Sequence, residues 1–325
     1  MRILLTGASG FLGRYVASAL ARRGHRIRAL ARRDLTGCGQ TPWTDVYKAD
    51  LRWDPLEQAF EEVDMLIHLA ARVRGSYRDH MADTVVGTER LLEAMAGSAT
   101  RRLILASSLT VYDWAVLRGD LTEESALEGD LYQRDAYAIA KTWQERVVRR
   151  LSQQRQWDLA VLRPGYIWGP AREYFPGLGH AFGSWHFVFG PTMSLPLTYV
   201  ENCADCFAAV VDKPQALGQT FNVVDGHDVS PWRYLGATRD RGKTNGRRIP
   251  VPYHLPLTAA RVAQWANRRF CHGNAQLPGL LVPGRFLSRF VPAPVSTHKL
   301  REVLEWRPPF DFGQCLLRAS EAEVP

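Results

Sequence analysis

Residues 1–24, MRILLTGASGFLGRYVASALARRG, are the part of the chain that indicates the fold class most directly. An apolar run at 2–5 leads into a glycine turn, and apolar residues at helical spacing then continue as far as Gly24. The glycines at 7, 10 and 13 therefore fall between a strand and a helix N-terminus. A site for a dinucleotide needs a tight turn whose backbone comes close to the pyrophosphate, and free backbone N–H groups at a helix N-terminus. The stretch predicts a strand, a dinucleotide-binding turn and a helix.

The alternation of strand and helix continues beyond this unit. Further strands are predicted at 25–32, 64–71, 101–108 and 158–165, and the helices between them at 54–63, 83–97 and 135–154. Repeated units of this length predict an α/β fold in which a Rossmann doubly wound parallel sheet binds ligands at the carboxyl ends of its strands.

The regular alternation of strand and helix ends after Gly169. Residues 170–198 are rich in glycine, proline and aromatic residues, which predicts loops that line a pocket. A strand and a helix return at 198–212, and a further strand is predicted at 219–226. We expect an NAD(P)-binding domain made of residues 1–165 and about 198–226. Residues 166–197 and 227–325 are expected to form a smaller, irregular α/β substrate-binding region at the C-terminal side.

Composition limits the class of protein. The 325 residues are 46% hydrophobic and 23% charged, as in an ordinary globular protein, and the formal net charge is +8. The arginines are scattered along the chain, so we expect no nucleic-acid partner. The short apolar start lacks the pattern of a signal peptide, which predicts a cytoplasmic protein. Residues 251–270 form an amphipathic segment that either lies on a membrane or, as we favour, packs on its own domain.

The cysteines indicate no metal site. Five are present, at 38, 203, 206, 271 and 315, and an odd, dispersed set is typical of reduced thiols. The CADC pair at 203–206 has no second pair to complete four ligands. We therefore expect buried helix residues here.

The end of the second strand bears on the choice of cofactor. An acid at this point would bind a ribose 2′-hydroxyl, whereas a basic residue suits a 2′-phosphate. The sequence has Ala31 there, followed by Arg32 and Arg33, which favours NADP(H) and leaves NAD(H) as the alternative. Asp50 and Leu51 are expected beside the adenine, and residues 69–71 along the dinucleotide.

A tyrosine and a lysine share one face of the helix predicted at 135–154. Tyr137 and Lys141 are four residues apart and can reach a common ligand. A phenol with a pKa near 10 transfers protons at neutral pH only when a nearby positive charge stabilises the phenolate, and Lys141 would supply that charge. Ser107 and Ser108, at the end of a strand on the same sheet edge, offer a hydroxyl to hold a substrate oxygen, or else cap a turn.

The combined motifs resemble the extended short-chain dehydrogenase/reductase family over essentially the whole chain. They are TGASGFLG, Asp50-Leu51, HLAA, SSLTVY, YAIAK, LRPGYIWGP and YVENCADC. The resemblance implies catalytic roles for Ser108, Tyr137 and Lys141, with the two last also binding cofactor. It implies further cofactor contacts at Gly7, Gly10, Phe11, Leu12, Gly13, Arg32, Asp50, Leu51, Leu69, Ala70, Ala71 and Pro164.

Two positions depart from the family's pattern. Thr84 stands where the family usually has asparagine, and Asp113 replaces a glycine after Tyr112. The loop after the fourth strand also lacks the acid pair of a dehydratase.

These features predict an NAD(P)(H)-dependent oxidoreductase that interconverts a secondary alcohol and a ketone on a small-molecule substrate. The alternatives are a nucleotide-sugar 4-epimerase that retains NAD, and a cofactor-binding regulator without catalysis. The sequence leaves open whether the protein forms a homodimer.

Overall fold

Seven parallel strands form the main sheet of the protein. The computed structural model describes residues 1–33, 35, 41–239, 247–290 and 293–321, so Cys38 lies outside the described residues. The strands of the described chain are β1 Arg2–Thr6, β2 Arg26–Ala31, β3 Asp45–Lys48, β4 Met65–His68, β5 Arg102–Ala106, β6 Asp158–Pro164, β7 Tyr166–Trp168, β8 His180–Phe182, β9 Trp185–Phe189, β10 Leu197–Tyr199, β11 Thr220–Val223 and β12 Arg247–Val251. The order across the main sheet is β11-β6-β5-β4-β1-β2-β3.

Helices cover both faces of this sheet. The helices of the described residues are α1 Phe11–Arg22, α2 Tyr77–His80, α3 Gly87–Ala96, α4 Ala136–Arg155, α5 Val200–Asp212, α6 Pro231–Arg239, α7 His254–Phe270, α8 Pro283–Arg289, α9 His298–Glu302 and α10 Phe312–Glu321. One buried cluster joins α1 and α5 to the sheet, and a second joins α3 and α4 to its other face. The order reverses beside β1, which confirms the predicted doubly wound α/β fold.

Three local predictions were wrong. Residues 45–48 form an edge strand, β3, although no strand was predicted there. The helix predicted at 54–63 is only a 3₁₀ turn, Glu57–Phe60, because Glu62 has a positive φ of 56° and the chain turns into β4. The loops predicted at 170–198 include the antiparallel pair β8 and β9, and β12 joins β9 to complete a three-stranded sheet.

The C-terminal part packs around Trp168. Its ring lies 5.1 Å from that of Tyr199 and 5.4 Å from that of Tyr234, and Phe312 of α10 closes the cluster. β11 completes the main sheet, while β7 to β9, β12 and α6 to α8 lie outside it. The division into a nucleotide-binding and a substrate-binding part stays a prediction. No helix of the described residues is long and apolar enough to cross a membrane.

Candidate active site

The glycine turn after β1 leaves no room for side chains. Gly7 has a φ of +70°, and a Cβ on it would lie 3.0 Å from the backbone nitrogen of Ala70. A Cβ on Gly13 would lie only 2.0 Å from the carbonyl oxygen of Gly7. Gly10 caps α1 without a side-chain hydrogen bond. The first N–H groups of α1 are thus free for an anionic ligand.

A cavity of about 210 Å³ opens beside this turn. Seven of the cofactor residues expected from the sequence line it: Gly7, Gly10, Arg32, Asp50, Leu51, Ala70 and Ala71. The other expected contacts are outside this lining, namely Phe11, Leu12, Gly13, Leu69, Tyr137, Lys141 and Pro164. Gly13 still shapes the turn, and Pro164 ends β6 at the same edge of the sheet. The cavity therefore lies beside the glycine turn, where the sequence predicts the dinucleotide.

Three arginines gather at the outer end of the cavity. Arg72 and Arg52 lie 3.0 and 3.2 Å from the carboxylate of Asp83, and Arg32 lies 3.8 Å from it. Arg52 also donates two hydrogen bonds to Asp50, which lower the pKa of that carboxyl.

Sequence reasoning identified Arg32 and missed the other two arginines of this set. Arg52 directly follows the Asp50-Leu51 pair, and Arg72 directly follows HLAA. An arginine after each expected adenine or dinucleotide contact was the signal that could have found them. Together the three place a net positive charge beside the part of the cavity at the end of β2.

Ser108 and Tyr137 meet where β5 ends and α4 begins. Asp135 caps α4 by accepting a hydrogen bond from the N–H of Ala138 at 2.9 Å. This places Tyr137 in the first turn of the helix, close enough to Ser108 for that side chain to lower the pKa of the phenol. Ser108 also accepts from the N–H of Thr110, so it both caps a turn and lies close to the tyrosine.

Burial governs the ionisation of Tyr137. It raises the pKa of the phenol to about 12, and the nearby Ser108, which lowers this pKa, offsets only part of the effect. The sequence led us to expect a phenolate stabilised by Lys141, whereas burial dominates in the structure. The phenol therefore stays protonated at neutral pH and is set up as a proton donor.

Lys141 is buried and held by two oxygens. Its Nζ donates to the carbonyl of Ala106 at 2.6 Å and to Oε1 of Gln144 at 2.8 Å. Burial lowers the pKa of the ammonium to about 7, while the charge of Glu145 acts in the opposite direction. The lysine therefore occupies the end of β5, one side chain away from the cofactor cavity.

Gln144 connects Lys141 to the wall of that cavity. Its amide nitrogen donates to the carbonyl of Ala70 at 3.2 Å and to the hydroxyl of Thr88 at 2.9 Å. Because both partners accept, the amide oxygen must face Lys141. Sequence reasoning missed this residue, since glutamine three positions after a lysine has no distinctive pattern.

A buried histidine extends the same network to β1. His68 contacts Thr88 at 2.8 Å and Thr6 at 2.6 Å, and Thr6 in turn accepts from the N–H of Ala70. Burial lowers the pKa of the imidazole to about 3, so the ring is neutral. Thr88 donates its own proton to the carbonyl of Thr84, hence His68 Nε2 carries the hydrogen.

An ion pair supports α4 from beneath. Arg163 of β6 donates two hydrogen bonds to Glu145, and both side chains are buried. Burial alone would raise the pKa of Glu145, but Arg163 outweighs it and the pKa falls to about 2. Arg163 also donates to the hydroxyl of Tyr112 at 2.6 Å. The pair fixes the segment that carries Lys141 against the sheet.

The two departures from the family's pattern both have local partners. Thr84 accepts a hydrogen bond from the backbone N–H of Arg72 at 3.0 Å, so a threonine provides a contact at this position. Asp113 accepts from the N–H of Ala115 at 2.9 Å and stabilises the turn after Tyr112.

A family model and several known proteins are similar to this chain. A family model described as the NAD dependent epimerase/dehydratase family matches residues 3–224. A UDP-glucose 4-epimerase of Vibrio cholerae is 25% identical, over 98% of this chain and 94% of its own. A 2-alkyl-3-oxoalkanoate reductase of Stenotrophomonas maltophilia is 28% identical, over 72% of this chain and 73% of its own. The crystal structure of a UDP-glucuronic acid 4-epimerase from Bacillus cereus with NAD matches with a TM-score of 0.72 at 16% identity, covering 98% of this chain and 97% of that one.

Proposed function

The chain belongs to the NAD dependent epimerase/dehydratase family, and from that premise we propose that it is an NADP(H)-dependent oxidoreductase that reduces a ketone to a secondary alcohol or reverses that reaction. Its relatives are epimerases, dehydrogenases and reductases, so the protein is an enzyme and the regulator alternative is set aside. The observation that carries the proposal is the proximity of Tyr137 and Ser108 where β5 ends and α4 begins.

The proposed roles follow from the contacts of the three side chains. A bound dinucleotide supplies the hydride chemistry. Tyr137 holds the proton that a ketone oxygen requires, because burial keeps the phenol protonated. Ser108 holds the same substrate oxygen through its hydroxyl. Lys141, fixed by Ala106 and Gln144, is the cation that would hold the cofactor ribose and stabilise the tyrosine once its proton has left.

The test is oxidation of NADPH with a panel of ketones, followed by absorbance. Tyr137→Phe should lower kcat by about 100-fold or more, as expected for the loss of a general acid. Tyr132→Phe is the matched control, since that tyrosine lies in the same segment and is 97% exposed. Turnover by Tyr137→Phe at the parent rate would contradict the proposal.

The preference for NADP(H) rests on the three arginines around Asp83. No acid ends β2, and Arg32 is 59% exposed at the cavity, where it can reach a 2′-phosphate. Arg32→Ala should weaken NADPH binding by about tenfold, the effect of losing one hydrogen bond to a charged group, and leave NADH binding unchanged. Arg22→Ala, an exposed position at the other end of α1, is the control. An equal loss for both cofactors would remove the basis for the preference.

A second candidate is a nucleotide-sugar 4-epimerase that retains NAD. The observation in its favour is the full-length similarity to the epimerase of Vibrio cholerae. The purified protein should then contain NAD and invert a UDP-sugar at C4 without net consumption of cofactor. Purification without nucleotide, together with stoichiometric NADPH oxidation, would decide against it.

A further inference from the structure

The net positive charge of the protein is confined to one segment. Between residues 241 and 301 the sequence has eleven arginines and lysines and no aspartate or glutamate. The rest of the chain has 30 basic and 33 acidic residues. No single run of basic residues marks this segment, which is why the arginines look scattered along the sequence. The described part of it includes α7.

α7 presents an apolar stripe to solvent. Leu255, Val262 and Trp265 are one or two turns apart on the same side of the helix, and each is more than half exposed. Phe270, at the end of α7, is 68% exposed and its ring meets that of Trp265 edge to face at 5.9 Å. The sequence led us to favour packing of this helix on its own domain, yet Ala260 is its one fully buried residue.

Arginines flank the stripe. Arg261, Arg268 and Arg269 are exposed, and Arg269 lies 5.7 Å from the ring of Phe270. An exposed apolar stripe with tryptophan and phenylalanine, bordered by arginines and lacking acids, is the pattern of a helix that lies in the interface of an anionic membrane. Nucleic acid would use the charges but gives no reason to expose Leu255 and Val262.

We propose that α7 docks the protein on an anionic lipid surface, with the stripe inserted among the acyl chains and the arginines on the headgroups. The opposite side of α7 is anchored: Leu257 packs on the cluster around Leu109, and Gln264 donates to Gln133 at 3.0 Å. Gln133 lies two residues before the cap of α4. The docking helix therefore contacts the segment that leads to Tyr137. This inference stands apart from the choice between reductase and epimerase.

The test is cosedimentation of the full chain with vesicles of phosphatidylcholine and phosphatidylglycerol, compared with vesicles of phosphatidylcholine alone. Arg261→Gln with Arg268→Gln should weaken binding to the anionic vesicles by about 25-fold, given about fivefold for each arginine. Trp265→Ser should also weaken it, and salt should reduce it. Arg22→Gln with Arg26→Gln removes the same charge from exposed positions far from α7 and should change nothing. Phe182→Ser, at another exposed aromatic residue, is the apolar control.

The proposal is overturned if the protein does not bind vesicles, or if it binds equally to vesicles with and without phosphatidylglycerol. Binding of duplex DNA that depends on the arginines, with no sedimentation on vesicles, would assign the segment to nucleic acid instead. Dinucleotide binding by every variant, measured by fluorescence, shows that a loss of vesicle binding does not come from unfolding.

Discussion

Lys141→Met should change how stability depends on pH. The pKa of Lys141 is about 7 in the folded protein, against 10.5 for a solvated lysine. Between these values the unfolded chain holds a proton that the folded chain has released, so unfolding takes up a proton. The free energy of unfolding of the parent protein must therefore rise with pH in this window, by about 1.4 kcal/mol per pH unit from this group.

The size of the effect follows from the same two values. At pH 7 half of the folded molecules still hold the proton on Lys141. The free energy of unfolding should therefore rise by about 2 kcal/mol between pH 7 and pH 9, less than the full slope over two pH units would give. Lys141→Met removes this contribution, so the free energy of unfolding of the variant should rise with pH by that much less. The loss of the hydrogen bonds to Ala106 and Gln144 changes the free energy of unfolding equally at every pH and leaves its pH dependence unaffected.

Urea denaturation of the cofactor-free protein at pH 7, 8 and 9 measures the slope. Lys48→Met is the matched control, because Lys48 is exposed and its removal should leave the slope as in the parent. Parallel curves for the parent and Lys141→Met would refute the reasoning, since they would mean that burial does not displace the proton. A confirmed slope would show that the burial of the Lys141 ammonium, which the site requires, lowers the stability of the folded protein.

Two other substitutions test the glycine turn and the ion pair. Gly13→Ala should abolish dinucleotide binding, because its Cβ would lie 2.0 Å from the carbonyl oxygen of Gly7. The control is Gly129→Ala, whose Cβ meets no atom within 4 Å and which should bind the dinucleotide as the parent does. Fluorescence titration measures binding by both variants. Glu145→Gln should lower the free energy of unfolding by about 3–5 kcal/mol, since it leaves the buried Arg163 without its counterion. Urea midpoints measure this loss, and a change under 1 kcal/mol would show that the pair is not needed.

The sequence predicted the parts of the fold that depend on local pattern. β1, the glycine turn and α1 follow from one stretch in which apolar spacing and glycines agree. It could not predict β3, whose four residues carry no apolar run, or β12, whose pairing with β9 joins segments about sixty residues apart. Residues 54–63 have helical spacing, with Leu56, Ala59, Phe60 and Val63 buried, yet they form a turn because the chain must enter β4 at Met65.

The same distinction holds for the site. Tyr137 and Lys141 lie four residues apart on one helix and could be identified from their spacing. Arg52, Arg72 and Asp83 come together only because the connection after β3 and the connection after β4 meet at one edge of the sheet. The pKa of Tyr137 could not be predicted either, because it depends on how deeply the packing of α4 buries the ring.

Asp83 has a consequence for anyone who wishes to redesign the cofactor preference. One carboxylate serves as the common counterion of Arg32, Arg52 and Arg72, so these positions are not independent. Removing one arginine lets Asp83 bind the other two more closely, and the energetic effects of successive replacements will not add. Libraries that vary one arginine at a time would therefore mislead. Selection for a new cofactor should randomise the acid and its three partners together.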